Sequence, residues 1–141
     1  MIVLVQRVAG AVVSVDREPK ARIGKGLLLL VGIIDGDTED ELRYCAGKCA
    51  NLRIFEDAEG KMNLSLLDVG GEVLSVSQFT LGARVRKGRR PSFDRAMKPP
   101  RSEELFDRFC DMLGEEGVSV VKKGDFNDGP VTIIVDSEER R

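Results

Sequence analysis

The sequence predicts an α+β domain, two helices packed on a largely β core. Three observations lead there. Many short stretches alternate apolar with polar residues, or run apolar without a break, between Gly, Pro and Asp. Only two stretches keep helical spacing. And 141 residues, 42% apolar and 33% charged, suit one globular domain over 1–141 with one real core.

In chain order, Ile2 to Val8 reads as a strand and Ala11 to Asp16 as a second. Arg17 to Lys20, with Pro19, reads as a turn. Leu27 to Ile34 is a near-continuous apolar run, the pattern of a strand buried on both faces. Thr38 sits three before Glu41, a capping box, and Leu42, Cys45, Ala46, Cys49 and Leu52 follow at helical spacing. A helix over about 38 to 51 is therefore expected. Arg53 to Glu56 returns to strand, 57 to 61 is a hairpin-type turn, and Asn63 to Leu67 is a short strand or turn. Gly70-Gly71 releases the chain into a strand over 72 to 80.

Residues 82 to 101 lack periodicity and predict a long loop, with one helical turn at Ser92 to Ala96. Ser102 is the expected N-cap of the second helix, whose apolar stripe is Leu105, Phe106, Phe109, Cys110 and Leu113. Gly114 or Gly117 ends it. Val118 to Val121 and Val131 to Val135 are the last expected strands, and 138 to 141 is a charged tail.

Composition excludes several chemistries. The chain has no histidine, which removes Ser-His-Asp, Cys-His and histidine general-base mechanisms together. A hydrolase of this composition must use carboxylates, backbone dipoles or groups of its substrate. Three cysteines, Cys45, Cys49 and Cys110, are too few and too odd for a disulfide framework and read as core thiols. No metal site and no cofactor are expected. No apolar run is long enough to span a bilayer and no secretory signal opens the chain, so a cytoplasmic protein without a membrane partner is expected.

Net charge is −2, yet Arg84 to Arg101 holds eight basic residues and one acid, a local +7. Arg84, Arg86, Lys87, Arg89 and Arg90 form its dense part. Two readings stay open on charge alone, a phosphate-binding surface or a solvated loop.

Two stretches carry candidate chemistry. Ser77-Gln78-Phe79-Thr80 ends a strand, where a rigid element hands over to a loop. Its backbone N–H groups and the Gln78 amide suit a developing oxyanion. Thr80 is a possible nucleophile, with no histidine to activate it. The bland alternative is an ordinary strand end. Asn127-Asp128-Gly129-Pro130-Val131-Thr132 is the second stretch. A cis Gly129-Pro130 bond would turn its carbonyls into a tight pair of acceptors, and a trans proline opening an edge strand is the plain alternative. Arg7 is either an outward charge or a guanidinium fork that fixes nearby carbonyls.

These residues resemble one family, the D-aminoacyl-tRNA deacylases. The resemblance runs through Val5-Gln6-Arg7-Val8, Gly24 to Leu28, Asn51 to Phe55, Gly60 to Ser65, Ser77 to Leu81, Lys87 to Phe93 and Asn127 to Thr132. Ser-Gln-Phe-Thr and Asn-x-Gly-Pro-x-Thr are the specific motifs. The resemblance implies a mostly antiparallel β core with barrel-like sheets and two main helices. It implies a homodimer that hydrolyses the ester of D-aminoacyl-tRNA, and glycyl-tRNA mischarged on tRNA(Ala), without binding DNA. Gly129 and Pro130 would form a cis gate, inserted across the dimer, that rejects L-aminoacyl groups, with Arg7 bracing it. Ser77, Gln78, Phe79 and Thr80 would line the catalytic pocket, with the Phe79 N–H as oxyanion donor. The terminal ribose 2′-hydroxyl would assist. Phe126 would stack on the terminal adenine beside Asn127, and the 84–90 cations would meet tRNA phosphates.

One departure stands out. The family carries a Gly-Ala-x-Met stretch and a short strand before Asn-x-Gly-Pro, but here Gly124-Asp125-Phe126 runs straight into Asn127. This keeps two rivals open: a tRNA-binding or scaffold dimer that has lost catalysis, and an esterase using Thr80 with a carboxylate.

Overall fold

The computed structural model describes residues 1–127 and 129–140, leaving Asp128 and Arg141 aside. Its strands are β1 (Ile2–Val8), β2 (Ala11–Val15), β3 (Glu18–Ile23), β4 (Gly26–Gly32), β5 (Phe55–Glu56), β6 (Met62–Leu64), β7 (Glu72–Ser77) and β8 (Val121–Lys123). Its helices are α1 (Glu39–Asn51), the single turn α2 (Leu66–Val69) and α3 (Arg101–Glu115). Short 3-10 turns cover Phe79–Gly82 and Ser137–Arg140.

The fold is α+β, as expected, but its main sheet is mixed rather than mostly antiparallel. The order is β1-β4-β7-β8. Only β1 runs antiparallel to β4, while β7 runs parallel to β4 and β8 parallel to β7. The reason is connectivity. The chain from β4 to β7 passes through α1, and that from β7 to β8 through α3, and crossovers of such length return strands parallel.

β4 is buried along both faces, as its apolar run predicted. Leu27, Leu29 and Val31 meet α1 and α3 through Leu42, Ala46, Phe106, Phe109 and Leu113. Leu30, with Leu74 and Val76 of β7, meets Val13 and Ile23 of the β2–β3 hairpin. Each fully buried Leu or Phe of this kind contributes about 1.5–3 kcal/mol. Cys49 and Cys110 lie in the helical layer, and burial pushes their thiols up to about 12 and about 11.

Thr38 caps α1 with the predicted box: its hydroxyl accepts from Asp40, and Glu41 reaches back to its N–H at 2.7 Å. Several boundaries differ. The hairpin turn falls at Asp16 and Arg17, both at positive φ, so residues 18–23 are strand. Pro19 is tolerated because the strand shifts register beside it on a two-stranded edge. Pro100, not Ser102, takes the N-cap position of α3, and Ser102 is buried inside the helix. Ser92 to Ala96 forms no helix but does hold one hydrogen-bonded turn, the Ala96 N–H donating to the Phe93 carbonyl at 3.1 Å, and two isolated β-bridges hold the loop. The late strand is 121–123 rather than 118–121. Residues 131–135 form no strand at all. Their β-branched side chains suit one, but no neighbouring strand pairs with them, and Val131 and Val135 stay 76% and 81% exposed.

Candidate active site

β7 is buried from Val73 to Ser77, so its end is fixed from both sides. The Gln78 N–H extends the ladder by donating to the Val31 carbonyl at 2.7 Å. The chain then tightens into the 79–82 turn, where Leu81 donates to the Gln78 carbonyl and Ala83 to that of Thr80. This turn presses on the end of β4. A Cβ on Gly32 would lie 3.0 Å from the Leu81 Cβ and 3.1 Å from the Gln78 carbonyl oxygen, so any side chain there would push on the turn by a few tenths of an ångström.

Ser77, Gln78 and Thr80 are all buried, and each reaches the second motif. The Ser77 hydroxyl donates to Asn127 Oδ1 at 3.0 Å. Gln78 Nε2 donates to the Thr80 hydroxyl at 2.7 Å, and the Thr132 hydroxyl donates to Gln78 Oε1 at 3.3 Å. Thr80 donates to the Thr132 carbonyl at 2.7 Å and accepts the Thr132 N–H at 3.0 Å. The two motifs are therefore joined within one chain, across 50 to 54 residues of sequence. Asn127 meets this contact in the left-handed region, at φ 55, which asparagine tolerates better than most residues.

This network decides the role of Thr80. Its hydroxyl gives its one proton to Thr132 and takes two hydrogen bonds in return, so its donor and both lone pairs are used. Among the described residues no carboxylate reaches it. Thr80 is an anchor, and the esterase built on Thr80 and a carboxylate loses its geometric basis. Every side chain in the network is neutral.

The backbone offers what the side chains do not. Among the described residues, the Phe79 and Thr80 N–H groups have no hydrogen-bond partner, as the first donors of a helical turn do not. The Phe79 side chain is 38% exposed, and its ring meets Phe93 edge-on at 5.3 Å.

Other expected site residues lie elsewhere. The Arg7 guanidinium donates to the Ile54 carbonyl at 2.8 Å and lines a cleft with Val8, Ala9, Lys25 and Phe55, away from its own Gly129 and Pro130. Phe126 packs on Phe106 of α3, ring centroids 6.1 Å apart, as an outlier of the core rather than a free stacking surface. Only Gly124 and Asp125 separate it from β8, which ties it to the helical layer. Gly129 and Pro130 are exposed and line a cleft with Val12 to Asp16 of their own hairpin. The cis peptide bond among the described residues is Pro99–Pro100, so Gly129–Pro130 is trans here. With no strand before or after it, nothing presses that bond into a tighter turn. Asp128 of the same motif lies outside the described residues.

The basic loop is closed by paired hydrogen bonds between Arg84 and Ser92, at 2.8 and 2.9 Å. Arg84 faces Asp94 at 3.5 Å. Arg86, Lys87, Arg89 and Arg90 are exposed and, among the described residues, have no ion-pair partner. Thr132 and Gly32 were missed as site residues. Thr132 was legible as the one hydroxyl among the apolar residues of 131–135, whereas nothing local marks Gly32.

The family model described as D-Tyr-tRNA(Tyr) deacylase matches residues 4–136. A D-aminoacyl-tRNA deacylase of Shouchella clausii is 53% identical over 147 residues, covering 98% of this chain and 100% of its own. That alignment is at least six positions longer than this chain, so the relative carries residues this chain lacks. A protein of Bacillus subtilis named inactive D-aminoacyl-tRNA deacylase is 51% identical over 132 residues, covering 87% of this chain and 99% of its own. The solved structure of the c-Myc DNA Unwinding Element Binding Protein superposes with a TM-score of 0.83 at 39% identity, covering 89% of this chain and 85% of that one. With its two signature motifs hydrogen-bonded to one another and the family model spanning nearly its whole length, the chain belongs to the D-Tyr-tRNA(Tyr) deacylase family.

Proposed function

We propose that this protein hydrolyses the ester that joins a D-amino acid to the 3′ end of tRNA, releasing the free amino acid and the tRNA. The observation that carries this reading is the pair of unpartnered N–H groups, Phe79 and Thr80, on a neutral and rigidly anchored turn. Water attacks the ester carbonyl, and its oxygen becomes an anion as the tetrahedral intermediate forms. Fixed backbone donors stabilise that charge without having to reorganise. No side chain of the network can take the water's proton, so the substrate's ribose 2′-hydroxyl carries the proton from the nucleophile towards the leaving ribose oxygen.

Stereochemical selection comes from Gly129-Pro130 of a second copy, brought over Gln78 on dimerisation. Three observations support this: Gly129 and Pro130 are exposed, Val131 and Val135 beside them are unpaired apolar side chains, and Arg7 stands apart from its own gate, free to brace the partner's. Glycine has no side chain for such a gate to reject, so glycyl-tRNA(Ala) is a second substrate. The exposed cations Arg86, Lys87, Arg89 and Arg90 hold tRNA phosphates, and the site of action is the cytoplasm.

A second reading keeps the tRNA-binding dimer and drops the chemistry. The shortened segment before Asn127 and the similarity to a relative named inactive favour it. Matched D-Tyr-tRNA and L-Tyr-tRNA, with the native chain and Gln78→Ala, separate the two. Cleavage of the D form alone, slowed in the variant, is the expected result. Salt-sensitive tRNA binding with neither form cleaved would leave the second reading, and cleavage of both would mean a working pocket without its gate.

A further inference from the structure

Where β3 and β8 approach each other lies a second cationic surface. Pro19, Lys20, Ala21 and Arg22 of β3 and Lys122 and Lys123 of β8 line an open cleft of about 470 Å³. Alternation sorts the two lysines of β8. Lys123 turns to the helical layer and is spent on Asp107 at 2.9 Å. Lys122 turns to the hairpin, where its ammonium donates to the Arg22 carbonyl at 2.8 Å. That bond pins one hydrogen and leaves two to face the cleft. Lys20 and Arg22 are both exposed and both line the cleft, Lys20 as the unpaired residue of the register shift beside Pro19. Among the described residues no acid pairs with Arg22 or Lys122, and Lys20 has only exposed Glu18 at 3.8 Å. Three cations thus converge against one weak counter-charge, in a chain whose net charge is −2.

Position makes this more than a local excess. Lys122 pairs in register with Leu74 of β7, four residues before Gln78. At about 3.3 Å per residue, the cleft lies about 13 Å along the strand from the site. Arg84 follows Gln78 by six residues, past the 79–82 turn, and the exposed cations Arg86 to Arg90 come after it. Cations before and after the turn suit an extended polyanion that passes over it, not a small anion that fills one pocket. We propose that the cleft of Lys20, Arg22 and Lys122 binds the sugar–phosphate backbone of the tRNA, as a second footprint separate from the 84–90 loop. This rests on the reading of the protein as one that acts on tRNA.

The test measures binding of uncharged tRNA as a function of salt. Removing one cation from a phosphate lowers the slope of log K against log salt by about 0.7–0.9. Lys20→Gln with Arg22→Gln should therefore flatten the slope by about 1.5. It should raise KM for D-aminoacyl-tRNA by about tenfold at unchanged kcat, since groups that hold phosphates position the RNA and do not react. A D-aminoacyl ester of adenosine alone, which has no backbone to bind, should be cleaved equally by both proteins. Lys122 stays intact in this pair, because its bond to β3 supports the fold, and an unchanged melting temperature checks that the variant folds. An unchanged slope overturns the proposal, and so does a slower cleavage of the adenosine ester. If the native chain cleaves nothing while the slope still flattens, the footprint stands and the deacylase reading falls.

Discussion

Residues 72–82 and residues 124–135 carry one signature motif each, and they are held in opposite ways. The first is strand and turn, buried from Val73 to Ala83 save for the exposed Phe79, and clamped between β4 and β8. The second has no strand, exposes Val131 and Val135, and touches the first through the Gly124 N–H on the Ser75 carbonyl and a few hydrogen bonds of Ser77, Gln78 and Thr80. The sheet imposes the geometry of the first region, and the first region imposes that of the second. Damage should therefore spread from 72–82 to 124–135 and hardly in reverse.

Thr80→Val should have the largest effect. It keeps the shape of the side chain and strips the hydroxyl that bonds Gln78 and both backbone groups of Thr132. Left unpaired in a buried place, these groups cost about 3 kcal/mol in total. Denaturant melts should show that cost, and proteolysis should then cut 124–135 in the folded protein. Thr80→Ser, which keeps the hydroxyl, should restore both. If Thr80→Val abolished deacylation at unchanged stability, Thr80 would be a nucleophile and the anchor role would be wrong.

Gln78→Ala comes next. It breaks the bonds to Thr80 and Thr132 and leaves a cavity, at a cost of about 2 kcal/mol. With its oxygen and one of its two N–H hydrogens committed within the network, the amide is expected to act by positioning the turn. Deacylation should fall by about tenfold, through kcat, as a displaced set of donors predicts.

These effects also explain what the sequence could and could not reveal. Much of the buried region was legible: the apolar run of β4, the capping box at Thr38, the stripe of α3 and the strand that leads to Ser77 all follow local rules of period and cap, although the strand expected to reach 80 gives way after Ser77 to the 79–82 turn. The pairing of Ser77-Gln78-Phe79-Thr80 with Asn127 to Thr132 was visible only as two motifs of one family, because nothing local joins residues so far apart in the chain. The same limit explains the errors. A strand at 131–135 depends on a neighbour that the pattern cannot supply, and the contacts of Phe126 with a ring of α3 and of Arg7 with the Ile54 carbonyl are long-range ones that no local pattern names. Sheet direction depends on crossovers rather than composition, which is why the parallel pairs of β7 went unseen.

Gly32→Ala tests whether the sheet really sets the turn. The added methyl meets the Leu81 Cβ and the Gln78 carbonyl, so β4 or the turn must give by a few tenths of an ångström. Overpacking of this kind costs about 1 kcal/mol or a little more. Stability and kcat should fall together, although residue 32 touches no substrate. In the reverse direction, Thr132→Val removes only the 3.3 Å bond to Gln78 and keeps the backbone bonds to Thr80. It should cost about 0.5–1 kcal/mol and leave 72–82 as protected from hydrogen exchange as before. A destabilisation as large as that of Thr80→Val would mean that the second region supports the first after all.

Acid gives the smallest effect and the clearest contrast. The contact between the two regions is made by hydroxyls, amides and backbone, none of which titrates. The caps that lead into β7 do titrate. Asp68 accepts the Ser65 N–H at 2.9 Å, and that bond, with the Ser65 hydroxyl, holds its carboxyl below the ordinary value of 3.8. A carboxyl with a lowered folded pKa stabilises above the unfolded pKa, and that contribution is lost as pH falls through the folded one. Below about pH 4 the unfolded chain takes up the proton first, so α2 should loosen as acid is added. Amide protection factors should then drop at Ser65 to Asp68 while those at Gln78 and Thr132 hold. A parallel drop at Gln78 would show that the turn depends on the charged cap before β7 and not on the sheet beside it.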